Sequence, residues 1–176
     1  MVKRQKIVFT GAPSSGKTTL INSVNHPDIR TFSEVSRTII DQEHNKGISR
    51  PFLHNPLAFS ETLFECRLHD YFATSSKAMQ FYDRGIHDVV AYLHELGQEV
   101  PCGMQEDCAQ YTYGKVFIFP PWEEIYTEDA QRKETFSEAK KLHHALFETY
   151  RFYGMTCIEV PRLSVVNRLA FILENL

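Results

Sequence analysis

Gly11, Ala12, Pro13, Ser14, Ser15, Gly16, Lys17 and Thr18 spell G-x-x-x-x-G-K-[ST] with every fixed position filled. The chemistry of that spacing is capture of a polyphosphate. Gly11 and Gly16 let the backbone curl until successive N–H groups face phosphate oxygens, and the positive end of a helix opening through Thr19 adds to that field. Lys17 would bridge the β- and γ-phosphates, and the Thr18 hydroxyl would hold Mg²⁺. The motif works only between a strand and a helix. Ile7-Val8-Phe9 before it and Thr19-Leu20-Ile21 after it supply both. A Gly/Ser turn with an exposed lysine explains neither flank. The expected ligand is a nucleoside triphosphate, ATP or GTP, with Mg²⁺.

Asp83 and Arg84 are the next chemical pair. They close the apolar run Ala78 to Tyr82 and are followed by Gly85. An acid at a strand end can organise Mg²⁺ or act as general base, and the neighbouring arginine can neutralise a substrate or a transferring phosphoryl group. The bland alternative is a strand-end ion pair. Glu34 is a second candidate base, placed after another strand where it can reach an acceptor hydroxyl. Arg37, one helical turn on, can share its cleft or simply pair with it on a surface. Arg132 and Lys133 end a charged stretch, about 120–133, that suits a lid excluding water and bringing positive charge. Glu128 and Arg132 are also spaced to pair on a solvated helix.

Short apolar runs alternating with longer helical patterns must position these groups, which argues for βαβ units and a parallel sheet. Strands are expected at Lys6 to Thr10, Ile29 to Ser33, Ala78 to Tyr82, Lys115 to Phe119 and Met155 to Val160. Helices are expected from the phosphate loop to about Val24, over Glu34 to Asn45, and from an Asn55 N-cap with Pro56 at the first position to about Thr74. Others should cover Ile86 to Leu96, Glu134 to Tyr153, and the segment after Ser164 carrying Val165, Val166, Leu169 and Leu173. Pro101 to Gln110 reads as a loop with a short helix at its end. The aromatic face of the Asn55 helix, from Phe59 to Phe72, reads first as core and second as the wall of a substrate pocket. In such a sheet, ligands bind beyond the carboxyl ends of the strands, where the phosphate loop, Glu34, Asp83 and Arg84 all fall.

Composition narrows the partners. A chain of 176 residues suits one domain spanning 1–176. A net charge of −3 without a basic block argues against nucleic acid. No apolar stretch approaches the roughly 20 residues of a membrane span, and the short apolar run after the basic start does not make a signal peptide. Cys66, Cys102, Cys108 and Cys157 lack C-x-x-C pairing and read as reduced thiols of a cytoplasmic protein. There is no Asn-Lys-x-Asp element and no D-x-x-G after the third strand, which argues against a regulatory GTPase.

With these residues assembled, the chain resembles the NadR-like AAA domain family of P-loop proteins, related to the ribosylnicotinamide kinase domain. The resemblance rests on Gly11 to Thr18, on Phe32-Ser33-Glu34-Val35-Ser36-Arg37, and on Tyr82-Asp83-Arg84-Gly85 with Asp88 and Tyr92. Val116 to Glu123 and the closing Val160-Pro161 with Ser164, Val165 and Arg168 extend it. It implies an α/β fold of NMP-kinase-like type, three layers deep, with a five-stranded parallel sheet ordered 2-3-1-4-5. It also implies nucleotide and Mg²⁺ roles for Lys17, Thr18, Asp83 and Arg84, with Glu34, Arg37 and Arg132 carried over beside them. The expected function is a Mg·ATP-dependent phosphotransferase acting on a small nucleoside- or nucleotide-like acceptor. The alternative is a slowly hydrolysing ATP or GTP switch that binds a protein or lipid partner. Oligomeric state is not fixed by the sequence.

Overall fold

The computed structural model describes residues 5–45, 54–73, 75–126 and 135–176. Strand β1 (Gln5–Gly11) is the middle strand of a five-stranded parallel sheet. Around it stand β2 (Ile29–Phe32), β3 (Met79–Asp83), β4 (Lys115–Phe119) and β5 (Cys157–Glu159), in the order β2-β3-β1-β4-β5. That is the expected order. Both faces of β1 are covered, so its interior reads as a continuous apolar run rather than an alternation.

Strand periodicity divides the core in two. Ile7, Phe9, Phe81 and Phe117 point to one face and pack with Leu20 and Ile21 of α1 (Lys17–Ser23) and Ile172 of α7 (Val165–Glu174). The Phe9 ring sits 5.0 Å from Phe81 and 5.9 Å from both Phe117 and Phe119, centroid to centroid. Each such ring taken fully out of water contributes about 1.5–3 kcal/mol. Val8, Tyr82 and Val116 point the other way, onto Val89 and Val90 of α4 (Ile86–Glu95) and Tyr150 of α6 (Phe136–Phe152). Thr10, two residues after Val8, faces that same side.

The remaining described α-helices are α2 (Ser36–Asn45), α3 (Pro56–Phe72) and α5 (Cys102–Gln110), and a 3-10 turn covers Glu123–Ile125. The α3 start is as read: Asn55 Oδ1 accepts from the Ala58 N–H at 3.1 Å, with Pro56 next. Leu63 and Phe64 on α3 are core residues, whereas Phe72 is 54% exposed. The helix after β2 begins at Ser36 rather than Glu34, because the Glu34 carboxylate reaches forward to accept the Ser36 N–H at 3.0 Å. The α6 helix begins after Thr135, which forms a reciprocal capping box with Glu138. The clearest correction is α5. The expected loop is a helix along most of its length, because Met104 and Cys108, four residues apart, bury one side of it. Among the described residues, no helix is long and apolar enough to cross a membrane.

Candidate active site

The phosphate loop leaves β1 beside β4. Gly11 has φ 135°, and a Cβ there would stand 2.3 Å from the Phe119 carbonyl oxygen, so only glycine fits. Ser14 and Gly16 take left-handed conformations at φ 56° and 82° and turn the chain through Ala12 to Ser15 into α1. Lys17 is 5% exposed and lies along this loop. Its Nζ donates to the Gly11 and Ala12 carbonyls at 3.0 and 2.7 Å and to Ser15 Oγ at 3.0 Å. Thr19 is exposed on α1.

Register places the end of β3 next to this loop, since Phe9 pairs with Asp83. Thr18 Oγ1 donates to Asp83 Oδ2 at 2.7 Å. The Asp83 side chain is buried, and its other oxygen, Oδ1, has no hydrogen-bond partner. Burial pushes its carboxyl pKa up, against the pull of Lys17. A hydroxyl beside a buried carboxylate with an unsatisfied oxygen is an arrangement of hard oxygen donors that fits Mg²⁺.

Arg84 follows at φ 75°, a left-handed conformation costly for a side chain with a Cβ. The bend is held by its own contacts. Its N–H continues the ladder to the Phe9 carbonyl at 2.9 Å, and its guanidinium binds Glu34 Oε2 at 2.6 Å and Asp88 Oδ1 at 2.9 Å. Arg67 of α3 binds the other Glu34 oxygen at 2.9 Å and the Gly85 carbonyl at 3.2 Å. Asp88 accepts in addition from Thr10 Oγ1 at 2.7 Å, the Gly85 N–H at 3.0 Å and the Tyr150 hydroxyl at 2.7 Å. The Arg67, Arg84, Glu34 and Asp88 side chains are each at most 5% exposed. Burial alone would raise the Glu34 pKa, but Arg67 and Arg84 with the Ser36 N–H bring it down to about 2. Asp88 follows the same logic: burial raises it, Arg84 and Arg67 lower it, and the net direction is down.

The structure therefore brings Lys17, Thr18, Asp83, Arg84 and Glu34 to one crevice at the carboxyl ends of β1, β2 and β3. Arg37 lies exposed on the first turn of α2. Arg132 and Lys133, with the second half of the expected lid, 127–133, lie outside the described residues. Three groups were not singled out for this cluster from the sequence: Arg67, Thr10 and Tyr150. Asp88 was noted without a role. Signals existed for two of them. Arg67 sits three and four residues after Phe64 and Leu63 on a buried stripe, and Thr10 interrupts a buried strand. A cavity of about 10 Å³ lies among Phe32, Val35, Arg67, Tyr82, Asp83 and Arg84. It has room for about one water, so anything larger would have to part its walls.

A family model described as an AAA domain matches residues 6–168 of the chain. No curated protein sequence matches it. Among solved structures, the NadR protein in complex with NR superposes with a TM-score of 0.71 at 14% identity, covering 98% of this chain and 50% of that one. Deoxyadenosine kinase from M. mycoides, with its products dCMP and a flexible dCDP bound, gives 0.66 at 12% identity, covering 97% of this chain and 98% of that one. Thymidylate kinase from Candida albicans gives 0.63 at 17% identity, covering 98% and 91%. The fold is that of P-loop kinases.

Proposed function

Because the chain belongs to the AAA domain family of P-loop proteins, we propose that it is a small-molecule kinase that moves the γ-phosphoryl group of Mg·ATP to a nucleoside- or nucleotide-like acceptor. One observation carries this reading. Glu34 and Asp83 stand at neighbouring strand ends, joined through Arg84, and Asp83 is tied to the phosphate loop through Thr18. Those contacts support a donor site and an acceptor site held edge to edge.

Phosphoryl transfer passes through a loose transition state and asks the protein for position and charge more than covalent chemistry. The loop amides would hold the donor phosphates, and Lys17 would exchange its carbonyl partners for β- and γ-oxygens. Thr18 and Asp83 would hold Mg²⁺, which would supply positive charge against the negative charge that develops on transfer. Glu34 would accept a hydrogen bond from the acceptor hydroxyl and aim its oxygen. A carboxylate gripped by two arginines is a weak base, which a late proton transfer tolerates. Arg84 would lend positive charge at the seam between donor and acceptor. Arg37 and Arg132 are proposed to approach the acceptor and the transferring group from the rim.

The test is ADP release from Mg·ATP with and without a panel of nucleosides, nucleotides and pyridine ribosides. Strong stimulation by one acceptor is expected and would name its class. A flat, slow rate across the panel would overturn the kinase reading in favour of a nucleotide switch.

A further inference from the structure

Arg168 belongs to α7, far along the chain from the phosphate loop, yet its NH1 donates to the Ser15 carbonyl at 3.1 Å. Arg168 as a residue is 5% exposed; its guanidinium carbon stands 5.5 Å from the Trp122 ring and 5.9 Å from the Phe119 ring, and its buried Nε has no hydrogen-bond partner. No carboxylate pairs with it among the described residues. It also fills the space behind Gly16, where a Cβ would lie 2.8 Å from NH1. An arginine buried without a counter-charge costs free energy. Its position on the back of an anion-binding loop supplies a reason for it.

We propose that Arg168 is a positioning residue that locks the Ser15–Gly16 peptide with its N–H turned into the phosphate loop. The two ends of a trans peptide unit point in opposite directions. Fixing the Ser15 carbonyl outward on Arg168 therefore fixes the Gly16 N–H inward, where a phosphate oxygen would lie. Without that anchor nothing in the local chain prevents a flip, because Gly16 at φ 82° is free to adopt either orientation. A flipped peptide would present a carbonyl oxygen to the phosphate and repel it. The rings of Phe119 and Trp122 lie within cation–π distance of the guanidinium and favour its position, so the end of β4 and the start of α7 together set the loop's polarity. This role rests on the reading that the loop binds phosphates.

The experiment uses the full chain and inorganic pyrophosphate, which engages the loop without a base or ribose. Affinity is measured by calorimetry, alongside the Gly16 amide resonance and thermal melting. Arg168→Met keeps an apolar stem and removes the donor. If it melts close to the wild-type chain, binds pyrophosphate and ADP weaker by the same factor of about ten, the scale of one charge-assisted hydrogen bond, and shows a displaced Gly16 amide signal without ligand, the role stands. Pyrophosphate affinity within twofold of wild type would overturn it. So would weakened binding with an unmoved Gly16 signal, which would mark a general loss of positive charge. If Arg168→Met does not fold, Arg168→Leu, which also removes the donor, is judged by the same two readouts. A wild-type chain that binds neither pyrophosphate nor ADP would instead sink the phosphate-loop reading itself.

Discussion

Arg84 Nε lies 2.6 Å from Glu34 Oε2, so a residue bent into a left-handed conformation at the end of β3 is clamped to the residue that leaves β2. The clamp makes Glu34 a group whose ionisation is coupled to folding. Its carboxyl is held near 2 when folded, against an ordinary value of 4.5. The folded pKa is depressed, so the stabilisation is complete above about pH 5 and is lost as pH falls through 4.5 towards 2. The span corresponds to about 3 kcal/mol. Denaturant unfolding of the wild-type chain from pH 6 to pH 2 should show that slope, and Glu34→Gln should flatten it. An equal slope in the variant would assign the acid sensitivity to Asp88 or other carboxylates.

Asp83 carries the opposite sign. Its pKa is raised by burial and one oxygen is unsatisfied, so its ionised form burdens the ligand-free fold as pH rises. Asp83→Asn should raise the melting temperature without ligand by a few degrees, at about 2–4 °C per kcal/mol for a chain of this size. The same variant should retain ATP binding and lose about 10²-fold or more in turnover. A lower melting temperature would contradict the strain assigned to this carboxylate. Near-normal turnover would remove it from the metal site.

Tyr150→Phe should separate support from chemistry. It deletes one of the hydrogen bonds to Asp88, a buried charged acceptor, and should cost about 1.5–3 kcal/mol in unfolding free energy. Pyrophosphate affinity should remain that of the wild type, because Tyr150 touches none of the loop groups. A variant as stable as its parent would show that Thr10, Arg84 and the Gly85 N–H already satisfy Asp88.

Lys17→Ala should abolish tight binding of ATP and pyrophosphate alike, measured by calorimetry. The variant also leaves the Gly11 and Ala12 carbonyls without the Lys17 ammonium. Its melting temperature should therefore be compared before affinity is interpreted. Retained Mg·ATP affinity in a folded variant would refute the phosphate loop.

What was legible in the sequence is what depends on local order. The loop between Phe9 and Leu20, the acid ending the third strand and the Asn55-Pro56 start are all short-range patterns, and each stands where it was read. The order of the sheet followed from the family resemblance, not from periodicity. The illegible part is the partnership of distant residues. Nothing near Glu34 in the chain announces Arg67, and nothing near Asp88 announces Tyr150, because those pairs meet only when α3 and α6 pack over the sheet. Helix α5 was misread for a related reason. Its apolar stripe has only two members in a polar segment, too few for a 3.6-residue period to stand out.

The buried cluster joining Thr10, Glu34, Arg67, Arg84, Asp88 and Tyr150 also constrains how such a protein can diverge. Replacing any one charged member leaves a partner in the interior short of a counter-charge, so single steps away from this arrangement are costly. The cavity walls at Phe32 and Val35 carry no such debt. On the kinase reading proposed above, a change of acceptor preference would run through volume-matched apolar exchanges in those walls, since Phe32 is buried and stacked on Tyr82, whereas the cluster behaves as an epistatic block that is inherited whole.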